Sequence, residues 1–146
     1  MPVKTMKIVI IDGQGGGIGK AVIEKIRRQG CSAIELIAVG TNALATSNML
    51  RAGADAAATG ESAIVWNCKT ADVIIGALGI IAAGSMYGEL SHKMAAAISA
   101  SGALKILIPV GKCHLQVVGV TDEPLPVRID QAVAMLEQWL ADPACQ

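Results

Sequence analysis

The sequence predicts an α/β chain folded as a doubly wound three-layer sandwich on a mostly parallel sheet. Three observations carry this. Short apolar runs alternate with stretches of helical periodicity, and strand–helix alternation at such spacing builds right-handed βαβ units. The run Met6–Asp12, MKIVIID, is almost uninterrupted by polar residues, as a strand covered on both faces must be. The apolar stock, 53% of 146 residues, comes mostly from Ala, Ile and Val, which suits small-residue packing of helices on a buried sheet.

The elements follow in order. Met6–Asp12 is a central strand. A glycine-rich loop, Gly13–Gly19, leads to a helix over Lys20–Gln29, with Val22, Ile23 and Ile26 on one face and Glu24, Lys25, Arg27 and Arg28 on the other; Gly30 ends it. Ile34–Val39 is the second strand. Asn42 caps a helix over Ala43–Ala52, and Gly53 stops it. Asp55–Thr59 is a weak third strand, Ser62–Lys69 a short helix and Val73–Gly76 a fourth strand. Ser91 caps a helix over His92–Ala100, with Met94, Ala95 and Ile98 inward and Gly102 at its end. Leu104–Val110 is the fifth strand and Leu115–Val120 the sixth. The connection between these two is too short for a parallel crossover, so an antiparallel C-terminal edge strand is expected. Pro124 and Pro126 break the chain, and Val127–Ala141 is an amphipathic helix with Ile129, Ala132, Val133, Leu136 and Leu140 on one face. With no linker or repeat, residues 1–146 read as a single domain.

Composition narrows the partners. Lys+Arg and Asp+Glu are both 12, for zero net charge, and aromatic residues are 2%. Without a basic run or stacking side chains, neither nucleic acid nor an acidic membrane surface is an expected partner. Mean hydropathy is +0.53, yet the longest charge-free run, Val73–Gly88, is interrupted by glycines and falls short of the ~18–20 apolar residues a spanning helix needs. It reads as a buried strand and a loop. The start, Met1-Pro2-Val3-Lys4, has no signal-peptide pattern, so a cytoplasmic protein is expected. Cys31, Cys68, Cys113 and Cys145 are widely spaced, which predicts free thiols and no metal site. A low charge fraction (16%) with this apolar stock predicts a homo-oligomer, a dimer first, through the last helix or the edge strand Leu115–Val120.

The strongest chemical signal is Ile10-Ile11-Asp12-Gly13-Gln14-Gly15-Gly16-Gly17-Ile18-Gly19-Lys20. A strand feeds a glycine loop that opens a helix. Glycines let backbone N–H groups approach a ligand, and a helix start adds unpaired donors and a positive dipole end, an arrangement for phosphate or carboxylate. Asp12 is expected to bond loop amides, and the anion to sit over Gly15–Ile18. The loop resembles the Gly-x-x-x-Gly-x-Gly pattern of short-chain dehydrogenases, with Gly13, Gly17 and Gly19 in register. That resemblance implies a loop holding the pyrophosphate of NAD(P). It departs from a P-loop, because Gly15 stands where the first lysine belongs and Ala21 where the magnesium-binding hydroxyl belongs. Over nearly its full length the chain resembles a family of short bacterial proteins of unknown function. The resemblance rests on the IDGQGGGIG opening, Gly40-Thr41-Asn42-Ala43, the run ADVIIGALGI (Ala71–Ile80) and the run KILIPVGKC (Lys105–Cys113). It implies a Rossmann-like fold and no particular reaction.

The dehydrogenase chemistry itself is not supported. The one tyrosine, Tyr87, has Ser91 four positions later where lysine is needed. The second strand ends Val39-Gly40-Thr41-Asn42, without an acid for an adenosine ribose or an Arg for a 2′-phosphate. The candidate cofactor-binding residues are therefore Asp12, Gly13, Gln14, Gly15, Gly16, Gly17, Ile18, Gly19, Thr41, Asn42, Gly76 and Gly79, with Gly84 in the same later loop. The expected function is binding of a nucleotide or other phosphate-bearing ligand, NAD(P) first. Two alternatives stand beside it: a small-metabolite enzyme using Asp12, Glu61 or Cys113, and a non-catalytic oligomeric sensor. Cys113 sits beside Lys112 and His114, but neighbours on an extended chain point apart, so it is expected to contact a ligand or be structural. His92 reads as an exposed first-turn residue.

Overall fold

The computed structural model describes residues 4–111 and 114–142. Five strands, β1 (Met6–Asp12), β2 (Ile34–Gly40), β3 (Ala56–Thr59), β4 (Val73–Ala77) and β5 (Leu104–Ile108), form one sheet in the order β3-β2-β1-β4-β5. Every pairing is parallel. Five helices connect and cover them: α1 (Gly17–Gln29), α2 (Ala43–Arg51), α3 (Glu61–Cys68), α4 (His92–Ala100) and α5 (Leu125–Ala141), with a 3₁₀ turn at Leu78–Ile81. This is a Rossmann-like α/β fold.

Alternation along the strands decides which side chain serves which layer. Ile8 and Ile10 of β1, with Val73 and Ile75 of β4, pack under Val22, Ile23 and Ile26 of α1, Met49 of α2, and Val133 and Leu136 of α5. Val9, Ile11 and Ile74 point the other way, against Ile64 of α3 and Met94 and Ile98 of α4. Each fully buried Ile, Leu or Val contributes about 1.5–3 kcal/mol. The apolar run of β1 is thus explained by helices on both sides. No helix among the described residues is long and apolar enough to cross a membrane.

The helix signals read from the sequence are physically present. The side chain of Asn42 accepts from Ala45 N at 2.9 Å, and that of Ser91 accepts from Met94 N at 3.1 Å. Gly30 ends α1 at φ 68°, and its N–H donates to the Arg27 carbonyl. The first helix begins at Gly17, earlier than expected, because the last glycines of the loop already wind into it.

The expected antiparallel edge strand is not there. Leu115–Val120 forms no strand, and β5 is the edge of the sheet. The segment bends instead. His114 has φ 53° and Gly119 φ 91°, and Val120 N donates to the Val117 carbonyl at 3.2 Å to close a turn. Leu115, Val117, Val118 and Val120 are consequently exposed.

Candidate functional site

The chain leaves β1 toward β2 on one side and returns to β4 on the other. The strand order therefore reverses between β1 and β4, and in open α/β sheets ligands bind at such a switch point, beyond the carboxyl ends of the strands. The glycine loop lies at this point. Asp12, the last residue of β1, is the one buried polar or charged side chain among the described residues. Its Oδ1 accepts from Gly13 N and its Oδ2 from Gly19 N, both at 2.8 Å. One carboxylate thus ties the two ends of the loop together, as expected. Burial pushes its pKa up. The N–H groups of Gly19, Gly13 and Ile18 pull against that, and the charge of Glu89 adds to the rise.

The carbonyls of the loop are fixed next. Gln14 O accepts from Asn42 Nδ2 at 2.9 Å, and Gly15 O from Asn48 Nδ2 at 2.8 Å. Gly16 O accepts from Lys20 N, and Gly13 O from Gly16 N, each at 2.9 Å. No peptide bond here is cis, so each N–H points opposite to the carbonyl of the preceding residue. With the Gln14 and Gly16 carbonyls held inward, the N–H groups of Gly15 and Gly17 turn outward. Neither donates to a described residue. Both glycines are exposed, and a β-carbon on either would meet nothing within 4 Å.

The other three glycines face inward. Gly16 has φ 73°, and a β-carbon there would come within 2.9 Å of the Ala45 backbone. One on Gly19 would run into Met49 Sδ, and one on Gly13 would lie 2.5 Å from Thr41 Oγ1 and 2.6 Å from Met86 Sδ. The loop therefore offers its free donors at Gly15 and Gly17, at the start of α1, and not over Gly13.

Glu89 completes the site. It lies between the 3₁₀ turn and α4, in a segment closed by Gly84 N donating to the Leu90 carbonyl at 2.8 Å and anchored by the buried Leu90 side chain. Its Oε1 accepts from Thr41 Oγ1 and Asn42 Nδ2, both at 2.7 Å, and from Gln14 N at 3.1 Å. The Thr41 and Asn42 donors hold its pKa below the usual carboxylate value. Thr41 and Asn42 thus meet the loop through Glu89, and Asn42 does so while capping α2. Glu89, Met86 and Asn48 were not among the residues the sequence singled out. For Glu89 one signal existed: it is the first charge after the run Val73–Gly88, at a strand's carboxyl end.

The remaining candidates sit elsewhere in the architecture. A β-carbon on Gly76 would press on the Ile11 carbonyl at 2.7 Å, so this glycine allows β1 and β4 to pack closely. Gly79 is buried, and its carbonyl accepts from Ser85 Oγ at 2.6 Å. Glu61, at the start of α3, accepts from Ser91 Oγ at 2.5 Å. His92 and His114 are exposed. Cys113 lies outside the described residues. Cys68 is buried, which pushes its thiol up to about 11 and keeps it protonated. A depression of about 340 Å³ opens at the opposite end of the sheet, lined by Lys4, Met6, Asp72, Leu104 and Trp139 among others. In βαβ units that end collects helix C-termini, whose dipoles disfavour anions, and its Lys4 is already within 3.7 Å of Asp72.

Residues 7–141 match the family model described as "Domain of unknown function (DUF3842)", and the chain belongs to that family. No curated protein is significantly similar to it.

Proposed function

We propose that this member of the DUF3842 family is a cytoplasmic nucleotide-binding protein. It holds the phosphate of its ligand, NAD(P) first, over Gly15–Ile18. One observation supports this above the others: the N–H groups of Gly15 and Gly17 point outward at the start of a thirteen-residue helix, unpartnered among the described residues and under open space. Two such donors with the helix dipole behind them stabilise an anion by about 0.3–2 kcal/mol beyond ordinary contacts. The test is calorimetric titration of the protein and of Gly17→Val with NAD, NADP, AMP and inorganic phosphate. The added β-carbon meets no neighbour and its branches bring bulk to the proposed anion site, so affinity is expected to fall about tenfold or more while stability stays within about 0.5 kcal/mol. Equal affinity in the two proteins overturns the reading.

We also propose a homodimer. The apolar segment left without a strand favours it: Val118 is fully exposed, and Leu115, Val117 and Val120 are each 40% exposed or more, next in sequence to an unpaired edge strand. A concentration-independent monomer mass in sedimentation would remove this idea.

A further inference from the structure

We infer that Glu89 is the acid that reads the ribose at this site, so that the ligand is a nucleotide with a free 2′-hydroxyl, NAD and not NADP. The inference rests on the nucleotide reading of the glycine loop and goes on to its specificity. In dinucleotide sites of this architecture, an acid at the end of the second strand accepts the ribose 2′-hydroxyl. Here β2 ends in Gly40 and is followed by Thr41 and Asn42, and none of these is an acid. The fold delivers one to the same place from another element. Glu89 bridges the loop, through Gln14 N, to the end of β2, through Thr41 Oγ1 and Asn42 Nδ2. All three donors meet Oε1, which fixes the carboxylate in position. Its Oε2 accepts from no described residue, and is the acceptor left for a ribose hydroxyl. Phosphate is kept from Gln14 N by the same carboxylate and confined to the open donors of Gly15 and Gly17. Gln14 N, which Glu89 holds at 3.1 Å, is the amide next along the chain from Gly15 N, so a ribose adjoining a phosphate at Gly15 comes within reach of Glu89. A 2′-phosphate would place a dianion against this carboxylate. No Lys or Arg among the described residues forms an ion pair with Glu89 or a side-chain hydrogen bond to Thr41 or Asn42, so no described cation contact offsets that repulsion.

Titration calorimetry of the full chain and of Glu89→Gln with NAD, NADP and inorganic phosphate decides it, with thermal melts as a check on folding. The unaltered protein is expected to bind NAD at least tenfold more tightly than NADP. Glu89→Gln is expected to bring the ratio within about threefold, chiefly by improved binding of NADP. The preference of the unaltered protein needs no variant, so the inference remains open to refutation if Glu89→Gln folds poorly. Equal binding of NAD and NADP, or a preference that survives in a folded Glu89→Gln, overturns the role of Glu89 and leaves the loop reading standing. Phosphate binding without either dinucleotide overturns the ribose assignment alone. Failure of all three probes to bind overturns both.

Discussion

Gly13–Gln14 and Gly15–Ile18 are adjacent stretches of one loop, but the first is closed by side chains and the second is bare. Glu89, Thr41 and Met86 lie over Gly13 and Gln14, whereas the amides of Gly15 and Gly17 face open space. The glycines divide the same way. Positions 13, 16 and 19 need glycine because a β-carbon has no room, and position 16 also because φ is 73°. Positions 15 and 17 have neither constraint. A β-carbon at those two positions would stand in open space. Glycines that the fold requires and glycines that it merely tolerates thus stand side by side, and the tolerated ones are those whose amides form the proposed anion site.

The largest effect that tests this division is on stability. Gly16→Val puts a β-branched residue at positive φ and drives it into the Ala45 backbone. Strain and overpacking together cost roughly 2–5 kcal/mol. Gly17→Val costs nothing comparable. Urea unfolding of the two variants is expected to separate their midpoints widely, and matching midpoints would erase the distinction between the inward and outward glycines. Gly16→Val is accordingly a poor probe of ligand binding, since its fold fails first.

Next in size is Asp12→Asn. The carboxylate satisfies Gly13 N and Gly19 N with its two oxygens. Asparagine has one carbonyl oxygen, so its NH₂ faces one of those donors and a buried N–H is left unpaired. That costs about 1–3 kcal/mol. The pH dependence has a definite sign. The folded pKa of Asp12 is raised, so between the ordinary carboxylate value and the raised one the folded protein holds more protons than the unfolded. This group therefore makes stability fall as pH rises through that window. Asp12→Asn removes that slope. Denaturant midpoints measured across acidic to neutral pH check both expectations, and a variant as stable as the parent would show that Asp12 does not hold the loop together.

The two halves of the loop were not equally readable from the sequence. The strand Met6–Asp12, the caps Asn42 and Ser91 and the stop at Gly30 depend on near neighbours, and local patterns report them. Sorting the glycines needs Ala45, Met49 and Met86, which only the folded chain brings to them. Glu89 reaches Gln14 across a separation of 75 residues, and nothing in its local sequence says which strand end it will meet. The segment Leu115–Val120 shows the converse failure. Its apolar residues have strand propensity, but a strand forms only with a partner edge, and the turn at Val117–Val120 prevents pairing with β5.

The smallest expected effect comes from the carboxylate that closes the first half. Glu89 is partly exposed, so the charge-assisted part of its three hydrogen bonds is screened, and Glu89→Gln is expected to cost only about 0.5–1 kcal/mol at neutral pH. Glutamine keeps one carbonyl acceptor for Thr41, Asn42 and Gln14 N, so the loop stays covered. The pH response has the opposite sign to that of Asp12. The folded pKa of Glu89 lies below its ordinary value. Its contribution is therefore fully present above the ordinary glutamate value and is lost as pH falls through the lowered one. Acidification below neutral thus first favours the fold through Asp12 and then weakens the cover over Gly13 and Gln14 through Glu89. Proton–deuteron exchange at the Gln14 amide reads this locally. Corrected for the intrinsic pH dependence of exchange, protection at Gln14 is expected to drop at low pH in the parent, and to be lower yet pH-independent in Glu89→Gln. The Gly15 and Gly17 amides exchange fast in both. Equal protection at Gln14 and Gly15 in the parent would mean that the two halves of the loop do not differ in solution.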